Sequence, residues 1–250
     1  MEKLEVRGVS KCFDGAPVLE DISITLRQGE LVCLLGVSGG GKTTLFNIIS
    51  GLVEPDRGQV FLDGEDVTGK PGRISYMLQK DLLLPYRTIQ DNVALPLLLR
   101  GEKKREARAK AAELFPEFGL EGTERKYPAQ LSGGMRQRAA LLRTYLFSQN
   151  VALLDEPFSA LDYLTRVEMQ EWLLHQWEHY DKTILFITHD VEEAVFLSQK
   201  IFVIQDRPFS SMEMVEVPLS YPRDRSDLKK PEVVELKEQL IGKLRRSVSL

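Results

Sequence analysis

The apolar positions of the first third of the chain follow a strand-like rhythm. Leu4, Val6 and Val9 precede a turn at Asp14-Gly15, and Leu19, Ile22, Ile24 and Leu26 then alternate with polar residues, as in half-buried strands. After Gln28-Gly29-Glu30 the pattern changes to an unbroken apolar run, Leu31-Val32-Cys33-Leu34-Leu35, typical of a strand covered on both faces of a parallel sheet. Residues 42–50 have helical character and stop at Gly51. Pro55 to Gly58 forms a turn, and Gln59-Val60-Phe61-Leu62 before Asp63-Gly64 reads as another strand. From about residue 81 to 148 Leu and Ala dominate, and Glu102 to Ala112 is a charged helix former. Met135, Ala139, Leu142 and Leu146 then mark one face of a longer helix. Strand character returns at Val151–Leu154, Thr183–Ile187 and Lys200–Ile204, with helical stretches at 164–179 and 191–198 between them.

Strands that alternate with helices imply parallel βαβ units. The expected fold class is α/β, a core sheet with an N-terminal antiparallel β subdomain and an inserted helical subdomain. A single domain over 1–250 is expected, its core approximately 1–80 and 149–206, its helical insert 81–148 and its C-terminal tail 207–250. In the tail, Met212 to Val217 alternates like an edge strand and Pro218, Pro222 and Pro231 punctuate the chain. Residues 232–246 predict a helix with Val233, Leu236, Leu240 and Leu244 on one face, which suits packing on the core; a regulatory or dimer contact is the alternative.

Composition narrows the function classes. The 250 residues are 43% hydrophobic and 28% charged, and 33 Lys+Arg against 37 Asp+Glu leave a formal charge of −4, so no global basic field points to nucleic acid. No apolar run approaches the ~18–20 residues that cross a bilayer, and the opening MEKLEVRGVS lacks a secretory apolar core. Cys12 and Cys33, both among apolar neighbours in sequence, suit neither a disulfide framework nor a metal knuckle. A cytosolic globular protein is expected.

Strand 31–35 runs directly into Gly36-Val37-Ser38-Gly39-Gly40-Gly41-Lys42-Thr43, which fits G-x-x-x-x-G-K-[ST]. Glycines let the backbone turn its N–H groups onto phosphate oxygens, and the helix that follows, with Thr44 in its first turn, adds its positive end. Lys42 supplies charge for the β and γ phosphates, and the Thr43 hydroxyl can ligate Mg²⁺. The bland alternative is a glycine-rich link between strand and helix. The apolar strand Val151–Leu154 ends in Asp155-Glu156-Pro157, which would place a metal-binding carboxylate, Asp155, beside the phosphates. Glu156, one position on, is suited to take a proton from the attacking water, and Pro157 stops the strand. Two acids at a surface turn are the alternative there.

Further elements complete a pattern. Leu131-Ser132-Gly133-Gly134-Met135 precedes Asp155-Glu156, Ser159-Ala160-Leu161-Asp162 follows it, and Thr188-His189-Asp190 ends a later strand. In this order, over essentially residues 1–205, the chain resembles the nucleotide-binding subunit of ATP-binding-cassette (ABC) transporters, a P-loop NTPase fold. The wording from Tyr127 to Arg138, Leu82 to Thr88 and Arg207-Pro208 is most similar to the importer branch that serves nitrate, sulfonate and taurine-type uptake. Met135, where the family often has Gln, and Gln149-Asn150, in place of a proline-containing turn, depart from the pattern.

The resemblance implies a head-to-tail homodimer with two ATP molecules, each on one subunit's phosphate loop and facing the other's Leu131, Ser132, Gly133, Gly134 and Met135. Ser132 reads as a helix N-cap and the two glycines expose backbone N–H groups to a phosphate. It further implies that Gln79, at the end of a strand from Arg73 to Leu78, reaches Mg²⁺ and the attacking water. His189 would contact the γ-phosphate, Asp162 would touch the other copy's phosphate loop, and Phe13 would stack on adenine, with packing inside the first sheet as its competing role.

ATP hydrolysis in a chain without a membrane segment implies a separate integral membrane permease. Its expected docking site is Asp81-Leu82-Leu83-Leu84-Pro85-Tyr86, apolar and broken by proline, on the cytoplasmic face of the cell membrane. An external solute-binding protein would complete the system, and no nucleic-acid partner is expected. Rival readings are a soluble ABC-type ATPase outside transport and a P-loop kinase. The former typically carries coiled insertions or tandem cassettes, and the latter leaves Leu131–Met135 unexplained.

Overall fold

The computed structural model describes residues 2–37, 39–147, 151–180, 182–204 and 206–248, with no side-chain description at 180, 247 and 248. Ser38 and the Gln149-Asn150 pair lie outside the described residues.

Alternation builds the first layer. Strands β1 (Glu2–Phe13) and β2 (Ala16–Arg27) form an antiparallel hairpin that β4 (Arg57–Leu62) and the short β5 (Glu65–Asp66) extend in the order β2-β1-β4-β5. Its inward positions, Leu4, Val6, Leu19, Ile22, Ile24 and Val60, are buried. This sheet lies against helix α1 (Lys42–Ile49), whose Leu45, Phe46, Ile48 and Ile49 share its core.

The second layer is a six-stranded sheet. Its members are β3 (Leu31–Leu35), β6 (Ser75–Met77), β7 (Val151–Asp155), β8 (Thr183–Thr188), β9 (Lys200–Ile204) and β10 (Met212–Glu216), ordered β10-β9-β3-β8-β7-β6. All neighbours are parallel except β10, which pairs antiparallel with β9 at the edge. Every residue of β3, β7 and β8 is buried, as their unbroken apolar runs require. Between β6 and β7 run α2 (Ile89–Val93), α3 (Leu95–Leu99), α4 (Lys104–Glu113) and α5 (Gly133–Phe147). Ala139 and Leu142 of α5 are fully buried, with Met135 and Leu146 packed beside them. Helices α6 (Tyr163–Tyr180) and α7 (Val191–Leu197) cover the sheet between its later strands. The β6 strand stops at Met77, two residues before Gln79 rather than next to it.

The tail is held to the core. In α8 (Pro231–Val248), Val233, Leu236 and Leu240 are buried and Leu244 is partly so. Ahead of it, the Arg223 guanidinium donates to the carbonyls of Val195, Phe196 and Ser198 at 2.9–3.0 Å and to Leu219. These are the carbonyls that the end of α7 leaves without helical partners. Cys33 is buried in the core, whereas Cys12 is exposed on β1, contrary to the apolar setting its sequence neighbours suggested. Among the described residues no helix is long and apolar enough to cross a membrane.

Because Leu240 is fully buried between α8 and the sheet, Leu240→Ala should lower the unfolding free energy by ~2–5 kcal/mol through lost burial and a residual cavity. Denaturant unfolding measures it; a change within experimental error would show that the tail is not part of the cooperative unit.

Candidate active site

Register places the chemistry. Leu35 pairs with Thr188, Asp155 with Ile187 and Met77 with Leu154, so β3, β8, β7 and β6 end together along one edge. The residues that leave those ends are Gly36, His189, Glu156 and, after Leu78, Gln79. An open parallel sheet binds its ligand at such a carboxyl edge.

Between β3 and α1, Gly39 and Gly41 take left-handed φ values of 79° and 84°. A Cβ on Gly41 would stand 3.0 Å from the Val18 carbonyl and the Leu19 side chain, so both backbone angle and space demand glycine. Lys42 is buried, and its ammonium donates to the Gly36 and Val37 carbonyls at 2.8 and 2.6 Å. Burial lowers its pKa, while Glu156 and Asp155 nearby act in the opposite direction. The Thr43 hydroxyl donates to Asp155 Oδ2 at 2.9 Å, and the Tyr76 hydroxyl reaches the same oxygen at 3.5 Å. Asp155 is 2% exposed, and burial raises its carboxyl pKa, partly offset by the Thr43 hydrogen bond. A buried carboxylate next to a hydroxyl is a set of hard oxygen donors, fit for Mg²⁺.

Glu156 sits at φ 49°, a left-handed conformation that costs a non-glycine residue ~1–3 kcal/mol and is held only where surroundings over-determine it. Its N–H donates to the Ile187 carbonyl at 3.0 Å. One carboxylate oxygen accepts from Gln79 Nε2 at 3.2 Å, and the other lies 3.2 Å from His189 Nδ1. Three residues from three strand ends therefore meet at one carboxylate.

The remaining expected residues are placed as follows. Ser132 caps α5, its hydroxyl accepting from the Met135 N–H at 3.2 Å. Gly133 shares with Gln79 and Asp81 a cleft of about 460 Å³. Leu131 is buried, and Met135 contributes to the core of the helical region. Asp162 accepts from the Thr165 N–H at the start of α6, and hydrogen bonds from Thr165 hold its carboxyl below the usual range. Phe13 is 45% exposed at the end of β1, so it does not pack inside the sheet; Lys11 Nζ lies 5.5 Å from its ring centre. In the expected docking segment Leu82 and Tyr86 are 52% and 73% exposed, but Leu83 is only 7% exposed. Leu83 packs in the core of the helical region, while its backbone N–H donates to the Asp81 carboxylate at 3.1 Å.

Other residues joined the site only in three dimensions. Arg207 brings its guanidinium to within 3.9 Å of where a Cβ on Gly39 would sit, adding positive charge over the phosphate loop. Glu193, buried in α7, accepts from Gln170 at 2.7 Å and from the Thr188 hydroxyl, steadying the turn that carries His189. In the sequence Arg207 figures only in the Arg207-Pro208 resemblance, and no sequence signal points to Glu193.

A phosphate-binding loop on a buried strand, an acidic strand end two strands away and polar residues Gln79 and His189 just beyond the neighbouring strands define a P-loop nucleoside triphosphatase. Comparison with known proteins is more specific. Residues 19–159 match the family described as ABC transporter. The chain is 44% identical over 248 residues to the formylaminopyrimidine import ATP-binding protein ThiZ of Halalkalibacterium halodurans, covering 99% of this chain and 95% of that one. It is 39% identical over 248 residues to the taurine import ATP-binding protein TauB of Escherichia coli O157:H7, covering 96% of each. The dimeric structure of MJ0796, a bacterial ABC transporter cassette, superposes with a TM-score of 0.79 at 27% identity, over 87% of this chain and all of that one. A dimeric post-hydrolysis state of the same cassette, bound to ADP and Pi, gives 0.78 at the same identity and coverage. The chain belongs to the ABC transporter family, and it is an ATP-binding, ATP-hydrolysing subunit.

Since a side chain at Gly41 would strain the loop and collide with Val18, Gly41→Ala should weaken ATP binding at least tenfold, measured with a fluorescent ATP analogue. Unchanged affinity would mean that the loop does not need its left-handed turn.

Proposed function

We propose that the chain powers solute import as a homodimer on the cytoplasmic face of a membrane, docked on a separate permease and served by an external solute-binding protein. One ATPase domain carries this function, with its core over approximately 1–80 and 149–206, the insert over 81–148 and the tail over 207–250. The observation that carries the reading is the meeting of Gln79, Glu156 and His189 beside the phosphate loop, at one edge of a parallel sheet.

In this reading the N–H groups of 36–41, with Lys42, hold the β and γ phosphates, Thr43 and Thr44 begin the helix beneath them, and Phe13 stacks on adenine. Lys42 would exchange the carbonyls of Gly36 and Val37 for phosphate oxygens. Thr43, Asp155 and Gln79 supply the oxygens for Mg²⁺, which when bound offsets the charge on the β and γ phosphates. Glu156 accepts a proton from the attacking water as its oxygen bonds to the γ-phosphorus, and the bond to the leaving ADP oxygen breaks. Gln79 orients that water through its amide, and His189 steadies the γ-phosphoryl oxygens while holding the Glu156 carboxylate in place. The Ser132–Gly134 end of a second copy, with its backbone donors and helix dipole, closes over the γ-phosphate, and Asp162 reaches the other copy's loop. ATP thereby favours the closed dimer, and its hydrolysis releases it.

The permease surface is proposed around Leu82, Pro85 and Tyr86. Leu82 holds a left-handed φ of 43° although exposed, and an apolar groove of about 290 Å³ nearby is lined by Leu52, Leu78, Leu95 and Leu99. Leu52 and Leu99 are themselves 56% and 75% exposed, so the patch is broader than the segment 81–86.

Two outcomes test the reading. Glu156→Gln should cut steady ATP hydrolysis by ~10²–10⁴-fold while ATP binding persists, and the variant should form a dimer in saturating Mg-ATP by light scattering. Hydrolysis within threefold of wild type would remove Glu156 from the role. Replacing Leu82 and Tyr86 together by Asp should abolish copurification with the permease while nucleotide affinity stays within twofold; intact copurification would place the docking surface elsewhere.

A further inference from the structure

A buried amide on α5 touches the backbone of the catalytic carboxylate. Gln137 is 5% exposed and lies four residues after Gly133, on the helix that Ser132 caps. Its Nε2 donates to the Glu156 carbonyl at 3.0 Å and approaches Ser159 Oγ at 3.4 Å, and its Oε1 accepts from the Ala160 N–H at 2.8 Å. Ser159 Oγ donates to the same Glu156 carbonyl at 3.0 Å. One side chain thus satisfies a donor and an acceptor on the loop between Glu156 and Asp162. Contact is also close at Gly134, where a Cβ would stand 3.3 Å from the Leu161 side chain and 3.5 Å from the Ala160 carbonyl.

Glu156 makes this contact consequential. Its left-handed backbone is strained, and strain persists only while neighbours fix it. On one side the Ile187 carbonyl holds its N–H; on the other its carbonyl is held by Gln137 and Ser159. A carbonyl released from those donors could rotate, and rotation about this residue would swing the carboxylate away from Gln79 and His189.

The same helix is tied to the proposed docking segment. Arg136, adjacent to Gln137, donates to Asp81 Oδ2 at 3.0 Å and to the Leu131 carbonyl at 2.8 Å. Two turns on, Arg143 donates to the Asp81 and Leu82 carbonyls at 2.6 and 2.9 Å. A displacement of Asp81-Leu82 must therefore move α5 or break charge-assisted hydrogen bonds, which are about twice as strong as neutral ones.

We propose that Gln137 is a positioning residue for ATP hydrolysis: it links α5, and through Arg136 and Arg143 the Asp81-Leu82 segment, to the backbone of Glu156 and to the Ser159–Asp162 loop. This route is separate from the Gln79 side chain, and it rests on the reading of Glu156 as the base.

The experiment compares basal Mg-ATP hydrolysis and ATP affinity of the purified chain in three variants. Gln137→Leu, close in volume but without hydrogen bonds, should lower kcat at least tenfold while ATP affinity stays within twofold. Gln137→Glu keeps the acceptor for Ala160 but can donate to the Glu156 carbonyl only when protonated. Its rate relative to wild type should therefore rise as pH falls from 8 to 6. Wild-type-like kcat in Gln137→Leu, or a loss of kcat matched by equal loss of affinity and a pH-independent ratio in Gln137→Glu, would overturn the proposal. Glu156→Gln, run alongside, separates the two claims. If it stays active, the base assignment fails; if it is inactive while Gln137→Leu is not, only the positioning role fails.

Discussion

The structure depends on bringing dense positive and polar groups to one place without leaving them unpaired in a protein interior. Parallel strands accomplish this because their carboxyl ends align in register, and each end releases one loop at the same edge. Leu35, Thr188, Asp155 and Met77 finish β3, β8, β7 and β6 within a single row. β3, β7 and β8 are buried along their whole length, so their ladder hydrogen bonds are shielded from water and only the polar residues at their ends meet solvent or ligand. The charges at this edge are matched internally: Lys42 by its own loop's carbonyls, Asp155 by Thr43, and Glu156 by Gln79. In the proposed mechanism phosphate, metal and water replace these contacts.

Electrostatics and strain work together at this edge. Desolvation pushes the Asp155 carboxyl up and the Lys42 ammonium down, so each is better charged with a ligand of opposite sign than alone. Glu156, the residue after Asp155, is turned into left-handed geometry and meets Gln79 and His189 instead of Thr43. Consecutive acids thus face different partners across one backbone angle. Leu82, which lines the cleft beside α5, shows a similar angle. Strained non-glycine residues at the site and at the proposed docking segment are joined by α5, through Gln137 at one end and Arg143 at the other.

The tail also belongs to this mechanical unit. Arg223 supplies the donors that the end of α7 lacks, and α7 begins one residue after Asp190, which caps it by accepting from Glu192 and Glu193. The helix that follows His189 is therefore held at both ends, and Glu193 anchors it to Thr188 in between. The edge strand β10 and the buried face of α8 cover what would otherwise be an open sheet margin.

Much of this was legible in the order of residues. The alternating and unbroken apolar runs located β1 to β4 and β7 to β9, because strand burial leaves a period that local composition records. The glycines before Lys42, the acids after Leu154 and the cap at Ser132 announced themselves because backbone geometry and charge restrict which residue types can stand there. What the linear pattern could not decide was who meets whom. Gln137 is an unremarkable polar position on a helix until folding buries it against Glu156, nineteen residues on. Leu82 and Leu83 are identical in kind, yet one faces solvent and the other the core, because a turn at Asp81 sets their directions. Cys12, whose apolar sequence neighbours suggested burial, is exposed on β1, because exposure depends on the strand's partners and not on adjacency in the chain. Local chemistry is written residue by residue, whereas burial and partnership depend on segments far apart in the chain that only the folded sheet brings to one edge.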